Sequence, residues 1–114
     1  MATRCNIQIN DPNTEIWLYR HWDGYPEVTG EDMKDYLRYM MPETASQLAE
    51  AIVNNDSEHY RYTKSQHGDI EYLYQIYIGD FDVIMQTIHL PLVMKFDGEV
   101  VRDRKTIKTE TFKR

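Results

Sequence analysis

Cys5, Ile7 and Ile9 alternate with Asn6, Gln8 and Asn10, a period of two that predicts a strand with one buried face. The turn residues Asp11-Pro12-Asn13-Thr14 end it. Residues 15–22 resume the alternation, with Ile16, Leu18, Arg20 and Trp22 on one face and Trp17, Tyr19 and His21 on the other, so the two runs predict a hairpin. Asp23-Gly24-Tyr25-Pro26 must break the second strand, because Gly permits positive φ and the residue before Pro is pushed out of helical geometry. Beyond it, Met33, Leu37, Met40 and Met41 recur at helical spacing within residues 29–41, with Glu31 and Asp32 in the first turn, where they complement the helix dipole. Pro42 closes that helix. Thr44 and Gln47 then form the capping box of a second helix, whose apolar stripe is Ala45, Leu48, Ala49, Ile52 and Val53 and which ends at Asn54-Asn55-Asp56.

From His59 the period returns to two. Tyr60 and Tyr62 alternate with Arg61 and Thr63; after a Ser65-Gln66-His67-Gly68 turn, Ile70, Tyr72, Tyr74, Ile76 and Ile78 face one way and Glu71, Leu73, Gln75 and Tyr77 the other. Gly79-Asp80 turns the chain, residues 82–90 form the next strand, and residues 92–96 and 99–101 flank Asp97-Gly98, a two-residue hairpin signal. The order ββ, αα, then a β meander predicts an α+β domain: a mostly antiparallel sheet with two short helices packed on one face. Residues 1–101 make this single domain, and residues 102–114 a basic C-terminal segment, read first as a weakly ordered tail and otherwise as an edge strand.

Composition narrows the picture. A chain of 114 residues, 41% hydrophobic and 28% charged with only 5 Gly and 4 Pro, builds one globular core and hardly two. Its 19 acidic and 13 basic side chains give a net charge of −6, the wrong sign for coating nucleic-acid phosphates. The charge is uneven: residues 102–114 hold six basic and two acidic side chains, a local +4, so the body carries −10. Direct nucleic-acid contact is therefore expected, if at all, only through that basic end. The single cysteine, Cys5, allows no internal disulfide, and zinc-type Cys/His spacing is absent. Cys5 sits on an apolar stripe, where a thiol is inert. No apolar run approaches the roughly 18 residues of a membrane span, and the first ten residues lack a signal-peptide pattern, so a cytoplasmic location with no membrane partner is expected. Neither G-x-G-x-x-G nor a Walker A sequence occurs, which removes kinase and ATPase readings. No cofactor is implied.

Two segments concentrate the chemistry: Tyr19-Arg20-His21-Trp22-Asp23-Gly24-Tyr25-Pro26 and His67-Gly68-Asp69-Ile70-Glu71-Tyr72. Together they resemble the signature of a small family of uncharacterised bacterial and phage proteins of about this length, a resemblance spanning residues 4–78. It implies a prokaryotic or viral source and carries no activity. Arg20, His21, Trp22, Asp23, Tyr25, His67, Asp69 and Glu71 are accordingly the expected binding residues. Each segment contains His-x-Asp, and residues two apart in an extended chain project to one side. His21, Asp23, His67 and Asp69 are thus an alternative ligand set for a divalent metal, with Glu71 as base; against it, Asp beside Gly at a strand end ordinarily bonds turn backbone. Tyrosines interleaved with Arg20, Arg61 and Lys64 suit a nucleobase with phosphate or a flat peptide surface, although tyrosine is also an ordinary strand residue. Arg20 shares a face with Ile16 and Leu18 and is expected to pair with a carboxylate such as Asp23 or Glu71.

The expectation from sequence is a small acidic binding protein without catalytic activity, plausible for a phage or mobile element. It would occupy a basic surface on a host defence or nucleic-acid-binding complex, or sequester a small ligand. The alternatives are a metal-dependent phosphoester or nucleotide hydrolase and a homo-oligomeric structural component.

Overall fold

A computed structural model describes residues 2–114. The strands are β1 (Cys5–Asn10), β2 (Glu15–Arg20), β3 (Arg61–Thr63), β4 (Tyr72–Ile78), β5 (Asp82–His89), β6 (Leu92–Met94), β7 (Val100–Arg102) and β8 (Lys105–Lys113). The helices are α1 (Glu31–Met40), entered through a π-helical turn over Pro26–Gly30, and α2 (Ala45–Asn55). Six strands form one sheet in the order β3-β2-β1-β4-β5-β8, and β6 and β7 form a separate hairpin. All neighbours are antiparallel except β1 and β4. The class is α+β, as the pattern predicts, but the later strands do not continue as a plain meander. The chain leaves α2, adds β3 beyond β2, and only then crosses back to lay β4 parallel to β1.

That insertion changes the character of β1. A strand predicted to have one buried face is enclosed on both: β2 and β4 pair with its two edges, and packed side chains cover it above and below. Ile7 and Ile9 face the helices, while Asn6 is fully buried on the other side. Burial of an amide demands partners: the Asn6 side chain donates to the Leu18 carbonyl at 2.8 Å and accepts from the His67 amide at 2.8 Å.

The main core lies between sheet and helices. Met33 and Leu37 of α1, with Ala45, Leu48, Ala49 and Ile52 of α2, pack on Ile7, Ile9, Leu18, Tyr74, Ile76, Val83 and Met85. A smaller cluster on the opposite face joins Tyr19, Ile70, Leu73, Ile88 and Leu90, with Trp17 half-buried against it. Ile70 belongs here and not with Tyr72 because the regular strand begins only at Tyr72.

At the break after β2, positive φ belongs to Asp23 (57°) and not to Gly24. Glycine is required at 24 by proximity: a Cβ there would lie 2.8 Å from the Thr3 carbonyl oxygen and 2.9 Å from the Cys5 Cβ. The C-terminal segment is a full edge strand, paired with β5 from Asp82↔Lys113 to His89↔Lys105 with a bulge near Thr87 and Ile88. Phe112 packs against the main core.

Candidate functional site

The register puts both signature segments at one end of the sheet. Cys5 lies opposite Arg20 and Tyr72, and Tyr72 opposite His89, so Arg4, His21, Asp23, Asp69 and Glu71 all emerge just past the ordered strand ends. Strand alternation then divides them between the two faces.

On the helix side, Arg20 is almost fully buried and its donors are distributed over three elements. Nη1 donates to the Tyr60 hydroxyl at 2.8 Å and to Asp32 of α1 at 3.2 Å, and Nε donates to the Trp22 carbonyl at 2.5 Å. The Tyr60 hydroxyl in turn donates to Asp32 at 2.9 Å, closing an Arg–Tyr–Asp triangle. Asp23 stands further off, 3.9 Å from Nη2, and Glu71 takes no part. The Glu71 backbone instead bridges the strand ends, its amide donating to Arg4 and its carbonyl accepting from Leu90. Burial pushes the Tyr60 hydroxyl above its ordinary pKa, opposed by Arg20 and reinforced by Asp32. Tyr25 contributes through its carbonyl, which accepts from Val28 and Thr29 and starts the π-helical turn. Next to this network, the Tyr74 hydroxyl donates to the Gly24 carbonyl at 2.7 Å.

On the opposite side, His21, His67 and Asp69 do gather, around two residues outside the expected set, Arg4 and Tyr19. His67 stacks on the Tyr19 ring at 4.0 Å and shares a 2.9 Å hydrogen bond with Thr63. Arg61 lies over the same ring, 5.0 Å from its centre. His21 Nδ1 accepts from Arg4 at 3.3 Å and lies 3.2 Å from the Tyr19 hydroxyl, while Arg4 also pairs with Asp69 at 3.4 Å. Burial, and then the Asp69 charge, raise the Tyr19 pKa. The four side chains of the two His-x-Asp segments therefore do not form one ligand set: Asp23 belongs to Arg20's side of the sheet and the other three to Tyr19's. Among the described residues no group of three or more His, Cys, Asp and Glu is arranged to hold a metal ion.

Two concavities adjoin this end of the molecule. A groove of about 420 Å³ between α1 and the end of α2 is lined by Asp32, Asp35, Tyr36, Tyr39, Met40, Asn55 and Asp56. A smaller cleft of about 240 Å³ at the end of β2 is lined by Tyr19, His21, Trp22, Ser57, Glu58, His59, Tyr60 and Arg61. The Trp22 ring stands out from the surface, edge-on to His21 at 4.9 Å. Asp56 and His59, 2.8 Å apart, separate the two concavities. Sequence reasoning missed the α1 carboxylates as lining residues, although Asp32, Asp35, Tyr36 and Tyr39 at i, i+3, i+4 and i+7 are the one polar-aromatic stripe on that helix and were open to detection.

No family model, curated protein or solved structure matches the chain.

Proposed function

We propose that this chain is a small, acidic, non-enzymatic binding protein that docks onto a basic surface of a partner protein. The observation that carries the reading is the groove between α1 and α2. Its lining includes three carboxylates and two tyrosines and no cationic side chain. Carboxylates beside aromatic faces suit a guanidinium or ammonium group, which gains charge pairing at its edge and a cation–π contact on its face. Asp32 is already engaged by Arg20 and Tyr60, and Asp56 by His59. Asp35 holds only an exposed 3.8 Å pair with Arg38, of the weak surface kind that a better-placed cation displaces, so Asp35 and the nearly naked Tyr39 ring, 87% exposed, are the groups available to a partner. Lines of force from the −10 body reinforce approach by a basic target and raise its association rate. A phage or mobile-element source, with a host defence or nucleic-acid-binding complex as target, rests on the resemblance of the two signature segments.

The test is binding of an arginine-rich peptide followed by fluorescence anisotropy. Affinity is expected to fall steeply between about 0.01 M and about 1 M salt, over which the screening length shrinks from about 30 Å to about 3 Å. The Asp35→Asn, Tyr39→Ala double variant is expected to bind at least about tenfold more weakly, a loss of about 1.4 kcal/mol. Salt-independent binding, or an unaffected double variant, sinks the reading.

A further inference from the structure

The cleft at the end of β2 holds two opposite charges that do not meet. The Arg61 guanidinium carbon lies over the Tyr19 ring, 5.0 Å from its centre, and a guanidinium in such a cation–π contact keeps an N–H edge that can take a planar acceptor pair. Among the described residues that edge has no hydrogen-bond or ion-pair partner. Neither does the Glu58 carboxylate, which lines the same cleft. The two are three residues apart at the turn into β3, yet form no ion pair with each other.

We propose that this cleft binds a free α-amino acid in its zwitterionic form, with the carboxylate on the Arg61 edge, the ammonium on Glu58 and the side chain against the exposed Trp22 ring. A simple anion would satisfy Arg61 and be repelled by Glu58 and the acidic body; a simple cation would do the reverse. A zwitterion satisfies both, adds no net charge, and makes charge-assisted hydrogen bonds of the stronger kind at each end. The volume agrees. At about 240 Å³ the cleft is below the ~300 Å³ at which pockets for drug-sized ligands begin, which suits one amino acid and excludes a dinucleotide or a long peptide. Aromatic lining from Tyr19, Trp22 and Tyr60 selects a flat or apolar side chain. His21 completes the wall: because its Nδ1 accepts from Arg4, the neutral ring presents its other nitrogen as a donor. This site is separate from the groove between α1 and α2, and the failure of either reading leaves the other standing.

The experiment titrates the full chain with L-phenylalanine, read by tryptophan-selective fluorescence and by calorimetry. Trp22 is the exposed indole of the two in the chain, Trp17 being half-buried. A saturable signal with a dissociation constant under about 10 mM is expected. N-acetyl-L-phenylalanine, which lacks the ammonium, and L-phenylalanine amide, which lacks the carboxylate, are each expected to bind at least about tenfold more weakly. Arg61→Gln and Glu58→Gln are expected to reproduce those losses while melting within a few degrees of the parent. Both side chains are exposed, neither is in an ion pair or hydrogen bond among the described residues, and Arg61 gives up only its exposed contact with the Tyr19 ring. Three results overturn the proposal: no saturation with L-phenylalanine, equal binding of either capped analogue, or tighter binding of adenosine monophosphate, which would make the cleft an anion site.

Discussion

Arg20 ends β2 but bonds to the chain at Trp22, to Asp32 on α1 and to Tyr60 before β3, so one side chain fixes how the helices and the sheet's edge meet. Its need for a carboxylate was legible from its place on the Ile16–Leu18 face. The identity of that carboxylate was not, because Asp32 is brought there by the docking of α1, which no local pattern specifies. The same buried region holds Tyr60, Tyr74 and Cys5, whose hydroxyls and thiol are all pushed up by burial, the thiol from 9.0 to about 12. Each is uncharged in the fold and ionises more readily once unfolded. The stability they contribute is therefore complete below pH 9.0, the unfolded thiol value, and declines as pH rises past 10.0, the unfolded tyrosine value. Above that point each group removes about 1.4 kcal/mol per pH unit. Alkaline titration followed by tyrosinate absorbance and circular dichroism is expected to show Tyr60 and Tyr74 ionising only as the fold is lost. A full nine-tyrosine signal from a chain whose dichroism is still native would refute this.

At the scale of elements, α2 is anchored from two sides. Thr44 accepts from the Gln47 amide at 3.1 Å, and Asp11, from the turn between β1 and β2, accepts from the Ala45 amide at 2.6 Å. The capping box was legible, but Gln47 returns its bond to the Glu43 amide and not to Thr44. The Asp11 tie spans 34 residues and leaves no trace in a window of sequence. Hydrogen bonds from Ala45 first and then Asn13 lower the Asp11 pKa below 3.8, so its contribution is present above that pH and vanishes as acidification carries it through its folded value. In thermal melts the gap between the parent and Asp11→Ala is expected to be open at pH 7 and to narrow progressively as the pH is taken below 3.8; a gap of constant size throughout would show that the charge is irrelevant. Thr44→Ala is expected to cost about 1 kcal/mol. Pairing between strands was equally hidden. Alternation tells which face a residue takes but not its neighbour, so neither the parallel β1–β4 contact nor the amide chain across it was readable. In that chain Arg104 donates to Gln75, Gln75 to Gln8 and Gln8 to Glu15, a line of bonds that a register slip of one residue would break.

For the whole molecule, the charge asymmetry in the sequence turns out to be structural. The basic segment reads as a tail because it is poor in apolar residues, yet it closes the sheet as β8, held by its backbone pairing and by Phe112, while Ile107 stays exposed. Phe112 caps Val83 and the core beneath. Arg114 then ties the end of the chain to the carbonyls of Met41 at 3.0 Å, Gly79 at 3.3 Å and Pro42, joining the end of α1 to the β4–β5 turn. Lys34 of α1 reaches Glu110 at 3.5 Å, so the strand is held from the helix layer as well. Its basic side chains have a second effect. With Lys105, Lys108 and Lys113 along the exposed edge and a bulge near its start, β8 carries two of the devices by which sheets avoid pairing edge to edge. The strand it covers does not: β5, DVIMQTIH, contains no lysine or proline. A chain ending at residue 103 is therefore expected to suffer twice. It loses the burial of Phe112, about 2 kcal/mol by itself and separately measurable as Phe112→Ala in urea unfolding, along with the pairing of an entire strand. It also exposes an apolar, ungated edge, so light scattering should report aggregation at concentrations where the full chain stays dispersed. Were residues 104–114 merely a solvated appendage, the truncated chain would unfold at the same urea concentration as the parent and scatter no more light.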